Sequence, residues 1–149
     1  MTNIIDIAFV DLVKFGERWG ATAFMHATDC EFTIQSNSTD PSTAIRELMR
    51  AVRHVQEVTL ALHSWQEGRV AFTRCTYWRE KGRYVLTYDD SSDDGAYVCA
   101  IILSEHGEDT IEIMPGENSA LALEAKAILR DKGYTVHVIE EGEVPQWLR

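Results

Sequence analysis

Ile5, Ala8, Phe9, Leu12, Phe15 and Trp19 recur at helical spacing, with Asp6, Asp11, Lys14, Glu17 and Arg18 gathered on the other side. This pattern predicts an amphipathic first helix. Gly16 falls on its apolar face, Gly20 ends or kinks it, and a short helical turn follows over 21–27. Cys30–Gln35 alternates and reads as a strand, followed by the polar loop Ser36–Thr39. Asp40-Pro41 is a helix start, because Asp caps free amides and Pro is tolerated in the first turn. The helix it opens places Ile45, Leu48, Met49, Val52 and Val55 on one stripe, with Arg46, Arg50 and Arg53 along its flank.

From Val58 the period changes to two. Val58–Trp65, Val70–Trp78, Arg83–Tyr88, Ala96–Leu103 and Thr110–Met114 read as strands, joined by links too short for parallel crossovers. They predict an antiparallel meander of about five strands, with the wholly apolar Ala96–Leu103 at its centre, covered on both sides. Pro115-Gly116 breaks the meander. Asn118 or Ser119 then caps a helix carrying Leu121, Ala125, Ile128 and Leu129, which stops at Gly133 before a last strand, Tyr134–Glu140. In the tail over 141–149, Trp147 and Leu148 are expected to dock on the domain or on a second copy.

The whole predicts one α+β domain over 1–149: a curved antiparallel sheet with N-terminal helices and one C-terminal helix on one face. Over roughly residues 5–114 the order helix–helix–strand–helix–strands resembles the NTF2-like and ketosteroid-isomerase-like domains. That resemblance implies a cone-shaped sheet. It is one of element order, so no catalytic residue is carried over.

Composition narrows the class. The chain has 149 residues, 45% hydrophobic and 26% charged, which is ordinary globular usage and excludes disordered, collagenous or coiled-coil chains. Its longest apolar run, Ala96–Leu103, is too short to span a bilayer. Asp6 and Asp11 interrupt the apolar N-terminus, which therefore does not read as a secretory signal. Three cysteines without paired spacing read as reduced thiols, so the expected location is cytoplasmic.

Charge is informative once it is located. Residues 1–88 hold ten acids and ten bases. Residues 89–149 hold fourteen of the 24 acids and four of the 14 bases, and with them the whole formal charge of −10. Such a layout steers a charged partner, or another copy, into one orientation.

Candidate chemistry is sparse. Asp90, Ser92 and Asp94 alternate before Gly95 like a calcium loop, but the twelfth position, where an EF-hand needs an acid, is Ile101. His26 and Cys30, with Asp29 beside them, would make half a zinc site on a helix, and no second pair exists. Cys75 and Cys99 read as buried strand residues, and His63 and His137 as mid-strand. Phosphate-cradling glycine loops, nucleophile elbows and HExxH pairs are absent from the sequence. The Arg46/Arg50/Arg53 stripe, with Tyr77, Trp78 and Tyr84, is the only nucleic-acid candidate. A pI near 4.9 argues against it.

The expectation is a non-catalytic, acidic protein-interaction domain, without cofactor or metal. It would bind a partner with a basic surface, as inhibitors of the immunity or phage anti-defence type neutralise nucleic-acid-binding proteins. A homodimer is compatible with it; direct nucleic-acid or membrane binding is not expected. The binding residues would be Asp89, Asp90, Asp93, Asp94, Glu140, Glu141 and Glu143. The alternative is an NTF2-like small-molecule-binding enzyme of isomerase or dehydratase type, with His63, Asp89 or Glu112 turned into a pocket.

Overall fold

The computed structural model describes residues 5–27, 30–66, 70–90, 96–106, 108–116 and 119–140. It is a mixed α+β structure with two open sheets. One is three-stranded in the order β1-β2-β3; the other is five-stranded in the order β4-β5-β6-β7-β8.

The N-terminus corrects the helical expectation. Asp6–Phe15 is a strand, β1, paired antiparallel with Arg18–His26, β2, which pairs in turn with Glu31–Ser38, β3. Two residues, Gly16 and Glu17, turn β1 into β2, and Gly16 takes φ 59°, which glycine adopts without strain. Apolar residues in this segment satisfy both the helical and the alternating period, and the β-branched and aromatic content settles it as strand. A bulge between Ile7 and Phe9 interrupts the β1–β2 register. Beyond it Val10, Leu12 and Lys14 share the face of the buried Ala21 and Ala23; Phe9, Asp11, Val13 and Phe15 share the other.

Asp40 caps α1 (Pro41–Ala61) as its position predicts, accepting hydrogen bonds from the Thr43 N–H at 3.0 Å and the Thr43 hydroxyl at 2.7 Å. Those bonds hold the Asp40 carboxyl below its usual range. Leu48, Val52 and Val55 of the expected stripe are fully buried, and the stripe runs on through Val58 and Leu62. The expected strand Val58–Trp65 is therefore helix, continued by the short α2 (His63–Gln66). Its alternation coincided with the i, i+3, i+4 positions of a helix already nucleated, and extending a helix costs far less than starting another element. His63 accordingly lies on α2, not in mid-strand.

β4 (Val70–Trp78), β5 (Arg83–Asp90), β6 (Ala96–Ser104) and β7 (Thr110–Pro115) form an antiparallel meander of four strands. β6 is central and buried from Val98 to Ser104, as its apolar run requires. α3 (Ser119–Asp131) crosses back so that β8 (Thr135–Val138) joins parallel to β7.

One buried cluster joins both sheets, α1 and α3. α1 packs on β2 and β3, and α3 on β6, β7 and β8. The Trp65 indole N–H donates to the Leu121 carbonyl at 3.1 Å, tying α2 to α3. Phe32 meets Phe72 at 5.9 Å, where β3 passes β4. The Tyr84 hydroxyl from β5 bonds both the N–H and the carbonyl of Gln35 at 3.3 Å, capping the outer edge of β3. The chain thus opens strand–strand–strand–helix, so the element order behind the NTF2-like resemblance is not the observed one. Among the described residues no helix is long and apolar enough to cross a membrane.

Candidate interaction surface

The sequence-predicted acids separate in three dimensions. Asp90, the last residue of β5, is paired between Val70 and Ala96 and only 5% exposed. Asp89 is half-buried and accepts a hydrogen bond from the Thr73 hydroxyl at 3.1 Å. Neither is a freely solvated loop carboxylate. Glu140 is exposed just beyond β8, while Asp93, Asp94, Glu141 and Glu143, with Trp147 and Leu148, lie outside the described residues. Sequence reading passed over Glu108, Asp109, Glu124 and Asp131, all exposed on the β7–α3–β8 unit. Their signal was the charge imbalance of 89–149 rather than any motif. Arg46, Arg50 and Arg53 are exposed along α1, as their spacing implies.

His26 and Cys30 do not share a helix; they flank the β2–β3 connection, and His26 Nδ1 lies 3.7 Å from Glu31. No metal-holding group of His, Cys, Asp or Glu occurs among the described residues. The cysteines are free thiols. Burial pushes the Cys99 thiol up to about 12 and raises that of Cys75 as well, which keeps both protonated and poorly nucleophilic at neutral pH. Reduction is therefore expected to leave the protein's mass unchanged, and Cys99 to stay unmodified by a thiol reagent until the chain is unfolded. A mass gain of two hydrogens, or rapid native labelling of Cys99, would contradict this.

A groove of about 780 Å³ runs beside the three-stranded sheet, lined by Asp11, Val13, Phe15, Arg18, Asn37, Glu47, Tyr77, Glu105 and His106, among others. Several of its polar groups are engaged with one another. Arg18 donates twice to the Asn37 side-chain oxygen, at 3.0 and 2.6 Å. The Tyr77 hydroxyl donates to Glu105, and His106 Nε2 lies 3.5 Å from the same carboxylate. The Glu105 and His106 side chains are 33% and 69% exposed. Tyr77, Glu105 and His106 thus meet as one polar cluster on the wall of the groove. His63, Asp89 and Glu112, on α2, β5 and β7, do not line it.

The most unusual surface was hidden by the helical expectation. Exposed on β1 are Phe9 (58%), Val10 (42%), Leu12 (39%), Val13 (38%) and Phe15 (68%). They occupy both faces of an edge strand, since α1 lies over β2 and β3 and barely reaches β1. Phe9 stacks on Phe24 with centroids 4.2 Å apart, and the Phe15 ring lies over Gly20. Exposed apolar patches of this kind mark interaction sites. Compared with protein-family models, curated proteins and solved structures, the chain matches none.

Proposed function

We propose that this chain is a non-catalytic protein-interaction domain whose acidic C-terminal half engages a basic, nucleic-acid-binding protein. It would act as inhibitors of the immunity or phage anti-defence type do. The observation that carries the reading is the partition of charge: a neutral first part, and an excess of ten acids beyond residue 88. Glu108, Asp109, Glu124, Asp131 and Glu140 stand exposed on β7–α3–β8. Such a field accelerates encounter with an opposite charge and orients it, by 10-fold or more at low salt. The enzyme alternative has less support, because His63, Asp89 and Glu112, the residues it would turn into a pocket, do not line the groove.

The test is affinity capture from source cells, followed by binding kinetics with the captured protein at low and high salt. Replacing Glu108, Asp109, Glu124 and Glu140 by Gln or Asn should slow association roughly 10-fold at low salt and flatten its salt dependence. Dissociation should change less. Asp89 and Asp90 are excluded from the set, because one is hydrogen-bonded and the other buried. Unchanged association at low salt would reduce the charge to a solubility feature and put the pocket enzyme ahead.

A further inference from the structure

We infer that β1 is a self-association edge, pairing antiparallel with β1 of a second copy about a two-fold axis at Leu12. Edge strands expose unpaired N–H and C=O groups and are ordinarily shielded by charge, proline or a covering element. The two edges of the three-stranded sheet are treated differently. Tyr84 caps β3, whereas β1 has no proline and, among the described residues, no covering helix, and apart from Asp11 and Lys14 its segment from Phe9 to Phe15 carries apolar side chains on both faces.

The occupant follows from register. The regular part of β1 runs from the bulge beside Ala8 to the turn at Gly16, Phe9 through Phe15, and its midpoint is Leu12. Antiparallel pairing keeps directly opposite residues on one face. Centred on Leu12, it sets Leu12 against its own mate, Val10 against Lys14, Asp11 against Val13, and Phe9 against Phe15. The last pair occurs twice, continuing the Phe9–Phe24 stack into an aromatic row over Gly20 of the other copy. A register one step toward the N-terminus would oppose Asp11 to Asp11, which like charge disfavours. The next step in the other direction, centred on Val13, loses the aromatic pair and faces Leu12 with Lys14.

Charge favours a second copy over a basic partner at this edge. The pairing segment Phe9–Phe15 holds one acid, Asp11, and one base, Lys14, and residues 1–88 are neutral, so two copies meet there without net repulsion. The acidic β7–α3–β8 unit belongs to the other sheet and remains free, so this inference stands apart from the function proposed above.

Sedimentation of the full chain at micromolar concentration should give twice the 16.9 kDa chain mass. Leu12→Lys, which sets like charges on the axis, should return it to a monomer of unchanged circular dichroism. Leu12→Cys should form an intermolecular disulfide under mild oxidation, while Val10→Cys, displaced from its mate by the antiparallel offset, should not. A chain monomeric throughout, or a dimer untouched by Leu12→Lys, overturns the site. Cross-linking through Val10→Cys but not Leu12→Cys overturns the register. A Leu12→Lys monomer should still bind the acidic half's partner, which separates the two readings.

Discussion

Gly116→Ala should destabilise the protein by about 1–3 kcal/mol, the range for forcing atoms into a filled space. A Cβ built on Gly116 would stand 2.7 Å from the Tyr97 carbonyl oxygen, 2.8 Å from the Tyr97 ring and 3.0 Å from the Val98 carbonyl oxygen. Two of those three are backbone atoms of β6, the central strand, and cannot swing aside as a side-chain tip could. The Gly116 N–H donates to the Val98 carbonyl at 2.8 Å, and the Tyr97 hydroxyl donates to the Met114 carbonyl at 2.7 Å. Relieving the clash therefore lengthens bonds that close the β6–β7 pair. Urea unfolding should show a lower midpoint with an unchanged slope. A midpoint equal to wild type would mean that β7 yields at its end, and the close approach would not hold α3 and β8 in place.

Local chemistry explains which elements were legible in sequence. Asp40-Pro41 carries its own cap, and the strands from Val70 to Met114 are framed by turn residues, with the wholly apolar Ala96–Leu103 marking the central one. Two segments misled for one reason: their apolar positions satisfy both periods. In 5–19 the helical reading ignored β-branched content and the Gly16-Glu17 turn; in 58–65 the strand reading ignored that the α1 stripe had not ended. β8 pairs parallel with β7, the strand just before it, across α3, so the strand–helix–strand order already carried the signal for that seating.

The candidate surface was legible only as a charge total. The burial of Asp90 comes from strands on both its sides, so a residue that looks like loop acid is strand interior. The β1 edge was invisible because a helix has no edge; once the segment is strand, the same Phe9, Leu12 and Phe15 that built a false apolar face become the exposed one. A hydrophobic residue at the right spacing has no fixed address until the element type is known.

Lowering the pH below about 6.5, the ordinary histidine range, should destabilise the wild-type protein more steeply than a His54→Leu variant. His54 is 6% exposed on the core side of α1, and its Nε2 has no hydrogen-bond partner among the described residues. Burial lowers its pKa; the carboxylates of Glu57, on the same helix, and Asp109, before β7, oppose that without overcoming it, and the Tyr134 ring faces it at 6.2 Å. The folded state therefore binds fewer protons at this site than the unfolded chain does, and stability rises with pH through the window between the depressed folded value and the unfolded one. As pH falls through that window, the unfolded chain takes up a proton that the native core refuses. Other carboxylates, including the capping Asp40, titrate in both proteins, so the wild-type-minus-variant difference in unfolding free energy isolates His54. Leucine should also leave the protein at least as stable at pH 8, because it removes an unsatisfied buried polar atom and replaces it with an apolar side chain of similar reach. Parallel pH profiles for the two proteins would show that His54 finds a proton acceptor in the folded state, and would move the acid sensitivity to the carboxylates of the C-terminal half.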